Sequence, residues 1–118
     1  MTVITVMLGG AVGAALRYGL SLLFNPTTDM GMPWGTLMAN LGGCLLIGWL
    51  SVYLADATDA VRLGILVGVL GGFTTFSSFG LETIRLVQNG DMVVATSYVL
   101  ASNLGGLLAI VLGLRLAS

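Results

Sequence analysis

Histidine and lysine are missing from this 118-residue chain, and charged residues of any kind make up only 8% of it. Soluble domains carry roughly 25% charged residues, and a mean hydropathy of +1.05 leaves too little polar surface to face water. The chain therefore reads as an integral membrane protein. Without histidine, and with no carboxylate pair inside an apolar run, hydrolytic and metal-assisted catalysis have no ligands or acid–base partners to work with. An enzyme is not expected. The lone cysteine, Cys44, excludes an intramolecular disulfide and reads as a packing residue. Basic patches are absent, so nucleic acid is not an expected partner. Glycine is plentiful, yet Gly9-Gly10-Ala11-Val12-Gly13 lacks the G-x-G-x-x-G order and a preceding strand, and a Walker lysine does not exist, so phosphate binding is not expected either.

What is present in abundance is long apolar runs. Charged positions cut the chain into Met1–Phe24, interrupted only by Arg17, then Met30–Ala55, Leu63–Leu81 and Met92–Leu114. A bilayer crossing needs about 20 apolar residues. The pattern predicts an all-α membrane protein, a single domain over 1–118 with four transmembrane helices at about 2–24, 33–55, 62–86 and 92–115. The connections are short: Asn25–Met32 with its Asn-Pro and Gly-Met-Pro turn signals, Asp56–Arg62, and Gln88–Asp91 containing Asn-Gly. The first run reads as a span rather than a cleaved leader, because it lacks a basic start and Arg17 follows its apolar core.

The third run differs from the others. Gly71-Gly72-Phe73-Thr74-Thr75-Phe76-Ser77-Ser78-Phe79 puts two glycines and four hydroxyls at its middle, where lipid offers no water to exposed backbone. A helix broken near 71–79 is expected, with its freed backbone buried in protein or lining a polar path. All four spans carry small residues four apart, as in Gly9 and Gly13, Gly35, Ala39 and Gly43, Gly64, Gly68 and Gly72, and Ala101, Gly105, Ala109 and Gly113. These predict close helix packing. A bundle filled in this way leaves little room for a pore within one subunit, so a conducting path is expected between subunits.

Orientation in a membrane follows the distribution of basic residues. Here Arg62 and Arg115 fall on one side, Arg85 and an outward-reaching Arg17 on the other. With no bias, the chain either inserts both ways up or takes its orientation from a partner. Polar residues at depth mark pathways, pairing sites or helix glue. Asn40 offers amide donors suited to an anion, Ser102 lies one helical turn from Tyr98, and Arg17 must find a carbonyl, a carboxylate or water. Phe73, Phe76 and Phe79 recur every three residues and read either as core packing or as rings whose positive edges face a small anion. Carbonyls freed at the break suit a cation instead. Glu82 and Arg85, three apart at the end of the third span, are expected to pair.

Three segments carry a family resemblance: Gly-Gly-x-x-Gly-Ala-x-x-Arg-Tyr at Gly9–Tyr18, Trp34-Gly35-Thr36-Leu37-x-x-Asn40, and Gly71–Phe79. Across essentially its whole length the chain resembles the Fluc (CrcB) fluoride channels. The resemblance implies passive export of fluoride across the cell (inner) membrane of a bacterium or archaeon. It further implies a dual-topology antiparallel dimer, a homodimer or a pairing with a related chain, with two pores at the subunit interface and a structural sodium ion at its centre. By match to the motifs, Phe76 and Phe79 would line the pore with Thr75 and Ser78 beside them, Asn40 would lie close to them, and Arg17 would stand at the vestibule. Gly71 and Thr74 would offer carbonyls to sodium, and Tyr98 and Ser102 would form a polar track on the fourth span. Where many relatives have a further serine one turn past Ser102, this chain has Gly106. The main rival, a small multidrug exporter, needs an acidic residue in the first span, and no Asp or Glu precedes Asp29. A non-transporting assembly subunit would leave the broken third span without a purpose.

Overall fold

A computed structural model describes residues 1–24 and 31–118. The expected Asn25-Pro26 turn and Asp29 lie outside the described residues. Those described are all-helical, with α1 at Thr2–Phe24 and α2 at Trp34–Tyr53. A third span over Asp59–Gln88 follows, then a fourth over Met92–Ala117. These four helices are long and apolar enough to cross a membrane. At 1.5 Å per residue, the 23 residues of α1 reach about 34 Å, enough for a hydrocarbon core of about 30 Å.

The third span is assembled from pieces: α3 (Asp59–Leu63), a π-helical stretch (Gly64–Val69), α4 (Leu70–Phe73) and α5 (Ser77–Gln88), after which α6 (Met92–Ala117) forms the fourth span. The break falls at 74–76, inside the expected window, whereas the π-helical stretch has no counterpart in the sequence reading. Gly64, Gly68 and Gly72 face α1 as one row: Gly64 meets Thr5, Gly68 meets Val6 and Gly9, and Gly72 meets Gly10 and Ala14. In return, a methyl on Gly9 or Gly13 would run into the backbone of Gly64 or Val69. Here the two helices approach backbone to backbone, the mode that lipid favours because it offers no other drive for association.

A second close pair joins α2 to α6, where Gly48 lies on Ile110 and Gly113 lies on Leu45 and Trp49. Of these Gly48 was not in the expected small-residue series. Between the pairs, α1 and α6 do not touch among the described residues. The third span bridges them: α3, the π-helical stretch and α4 lie against α1, while α5 lies against α6. The break is where the chain changes partner. Beyond it the packing relies on side chains, with Phe79 and Leu86 of α5 buried against Leu37 of α2 and Ala95 and Tyr98 of α6. The chain then turns through Gly90, whose φ of 81° admits the left-handed cap. The Gly90 amide donates to the Val87 carbonyl at 3.0 Å and the Asp91 amide to Leu86 at 2.9 Å, which ends α5 as a Schellman motif.

Candidate functional site

The break leaves backbone groups at mid-span that the helix no longer serves. Asn40, on α2, serves Thr75 from both ends of its amide. The Thr75 N–H donates to Asn40 Oδ1 at 2.8 Å, and Asn40 Nδ2 donates to the Thr75 carbonyl at 2.9 Å. One Nδ2 hydrogen of Asn40 remains for another acceptor. The Thr75 hydroxyl in turn accepts the Ser78 N–H at 3.2 Å and sits 3.3 Å from the Ser77 hydroxyl, starting α5. In an uninterrupted helix the amides of Thr75 and Ser78 would have served the carbonyls of Gly71 and Thr74. Both amides are diverted to side chains, so those two carbonyls lose their ladder partners. The Gly72 carbonyl, one residue along, is taken by Arg17 Nε of α1 at 3.2 Å. Arg17 thus resolves onto a carbonyl of the break. Thr74 back-bonds through its hydroxyl to the Leu70 carbonyl at 3.0 Å, and its backbone is extended, with φ −86° and ψ 157°.

Next to this break lies an open, mostly apolar groove of about 320 Å³, bounded by α2, the third span and α6. Asn40, Gly71, Thr74, Phe76, Phe79 and Ser102 all line it. Phe76 is 80% exposed, and its ring lies 5.7 Å from that of Phe79 at an interplanar angle of 52°. Phe79 tilts in turn on Tyr98, with centroids 5.0 Å apart at 55°. Such tilted pairs point ring edges toward neighbouring faces. The Ser102 hydroxyl is buried without a hydrogen-bond partner. Thr75, Ser78, Tyr98 and Arg17 are not among the residues that line it. Tyr98 is wholly buried, so the tyrosine one turn from Ser102 supports the aromatic pair from behind and does not continue the polar face of α6 into the groove.

The expected ion pair of Glu82 with Arg85 does not form. Glu82 Oε1 accepts the Thr36 hydroxyl at 2.8 Å and the Tyr98 hydroxyl at 3.5 Å, bringing α5, α2 and α6 together. Spacing on one helix makes a pair available, but two hydroxyls inside the bundle fix the carboxylate more firmly than a charge at the exposed end. Thr36, only 4% exposed, was missed by the sequence reading. A hydroxyl and a carboxylate 46 residues apart give no local signal that they meet. The lone salt bridge among the described residues is Arg62 with Asp59 at 2.6 Å, at the start of the third span.

Against this geometry, the profile of a family described as CrcB-like protein, Camphor Resistance (CrcB), matches residues 4–114. The chain belongs to the CrcB family. Several family relatives are named fluoride-specific ion channel FluC. One from Thermus thermophilus is 47% identical over 113 residues, covering 94% of this chain and 90% of the relative. Those from Paracoccus denitrificans and a Hydrogenobaculum species are 44% and 42% identical, and each covers 96% of this chain, with 91% and 94% of the relative. As a CrcB protein with four helices able to cross a membrane, the chain is a multi-pass membrane protein of a channel family and not an enzyme.

Proposed function

We propose that this chain is a fluoride channel that lets the ion leave the cell passively through the cell membrane, and so confers fluoride resistance. The observation that carries the reading is a single groove in which the exposed Phe76, Phe79, the Asn40 amide and the unpartnered Ser102 hydroxyl converge. A small anion in hydrocarbon is costly unless fixed dipoles replace its water. Asn40 has one N–H to offer, Ser102 an O–H, and the two phenylalanines their ring edges. None of these carries a charge, so an ion is held weakly enough to move on. Arg17 contributes from outside the lining, holding the Gly72 carbonyl and placing a permanent positive charge near the break.

Phe76, exposed to this degree on a groove with an orphaned hydroxyl, is a surface awaiting a cover. A second, inverted copy of the chain is the proposed cover, with two symmetry-related pores along the one subunit interface, and the balanced arginines favour a homodimer over a pairing with a related chain. The carbonyls of Gly71 and Thr74, left without ladder amides, fit a hard cation that takes oxygen ligands. When bound there, sodium supplies positive charge that lowers the cost of a nearby anion.

The test is ion efflux from liposomes containing the purified protein. Fluoride should leave quickly and chloride should not. Phe76→Ile, which keeps apolar bulk but removes the ring edge, should slow fluoride by roughly tenfold or more. Equal leakage of both anions, or of neither, counts against the reading. Adding basic residues to one end should produce a singly oriented protein that is inactive alone, and retained activity would reject the inverted pair.

A further inference from the structure

We infer that the thiol of Cys44 extends the polar lining of the groove beyond Ser102, donating to the anion at the level where α6 offers only Gly106. The inference rests on the fluoride reading and adds one residue to it. Tyr98, Ser102 and Gly106 are spaced by four and lie on one face of α6. Tyr98 is turned inward to Glu82, which leaves Ser102 as the face's one hydroxyl toward the groove. Its oxygen is buried and has no partner, so it is either a standing cost of desolvation or a group kept for a ligand. One turn on, Gly106 is buried and has no side chain to continue the row.

The room left by Gly106 is taken from across the interface. A Cβ built on Gly106 would lie 3.3 Å from Cys44 Sγ, tighter than an ordinary contact and too close for both side chains without a shift. Cys44 lines the same groove as Ser102 and Asn40. Asn103, the other polar neighbour on α6, bonds its amide back to the Val99 carbonyl at 2.8 Å. The second amide hydrogen of Asn103 stays available, so the thiol is a further donor beyond Ser102 and the one packed against Gly106. It is a weak donor, which suits a step on a path where the ion must not stop.

A swap of the polar group between helices tests this in the liposome efflux assay. Cys44→Ala should slow fluoride by roughly fivefold to tenfold, while Cys44→Ser should stay within roughly twofold of the unmodified chain. Gly106→Ser alone should slow the flux, because its side chain collides with the sulfur. Cys44→Ala combined with Gly106→Ser moves the hydroxyl to α6 with space to hold it, and should restore the rate. Cys44→Ala with Gly106→Ala fills the same volume without a donor and should stay slow. If Cys44→Ala alone does not assemble, the two double variants carry the comparison, and equal rates for them overturn the inference. A Cys44→Ala rate within roughly twofold of the unmodified chain overturns it too. An unmodified chain that carries no fluoride sinks the channel reading itself, which is a distinct outcome.

Discussion

The two halves of the third span are built on opposite plans. Before the break, Asp59–Phe73 presses glycine against glycine onto α1, and what holds it is the closeness of two backbones. After the break, Ser77–Gln88 turns to α6 and holds through Phe79, Leu86 and the Glu82 hydroxyl contacts. The first plan tolerates almost no added atom. The second tolerates exchange of apolar side chains but depends on polar partners brought from other helices. Between them, the break can stay open because Asn40 takes over the backbone groups of Thr75.

The comparison is broken most forcefully at the glycine row. Gly13→Leu puts a side chain into the Val69 carbonyl and the Phe73 amide, and should cost about 3 kcal/mol or more, read as loss of folded protein in detergent unfolding. Gly80→Ala is its control, since nothing lies within 4 Å of the added methyl. It should shift stability by no more than about 1 kcal/mol, and toward the folded state, because alanine restricts the unfolded chain and favours helix. A large loss there would mean that the second half also packs by its backbone.

Asn40→Ala addresses the junction. It strips both backbone groups of Thr75 of their partners and should cost about 2–3 kcal/mol, with hydrogen exchange accelerated at Thr75 before it is at α1. Unchanged protection there would show that the break is held by something else. Thr36→Val, which keeps shape and removes the donor to Glu82, should cost about 1 kcal/mol in the same unfolding measurement. The smallest effect belongs to Arg62→Ala. Its pair with Asp59 is largely in solvent, the Asp59 side chain being 71% exposed, and should contribute at most about 0.5 kcal/mol, fading with added salt.

These residues also mark how far the sequence was readable. The run Gly71–Phe79 announced the break because glycine and hydroxyl content is a local property, and the Asn-Gly turn closed as a Schellman cap for the same reason. The glycine rows announced close packing, though not their pairings, and Gly48 escaped a count based on intervals of four. Glu82 was misread because the rule for neighbours on one helix says nothing of Thr36 on another. The π-helical stretch over Gly64–Val69 carries no signal in the residues that form it.

Composition and the placement of charges gave a membrane chain with four helices long and apolar enough to cross it, because a helix satisfies its own backbone within a few residues and the apolar runs can be seen without knowing their neighbours. Which carbonyls of the break are served and which are not depended on side chains delivered from α1 and α2 by packing. So did the turn of Tyr98 away from the groove and the filling of Gly106's space by the Cys44 sulfur. Those meetings join positions dozens of residues apart, and a contact of that kind exists only once the helices have chosen their partners.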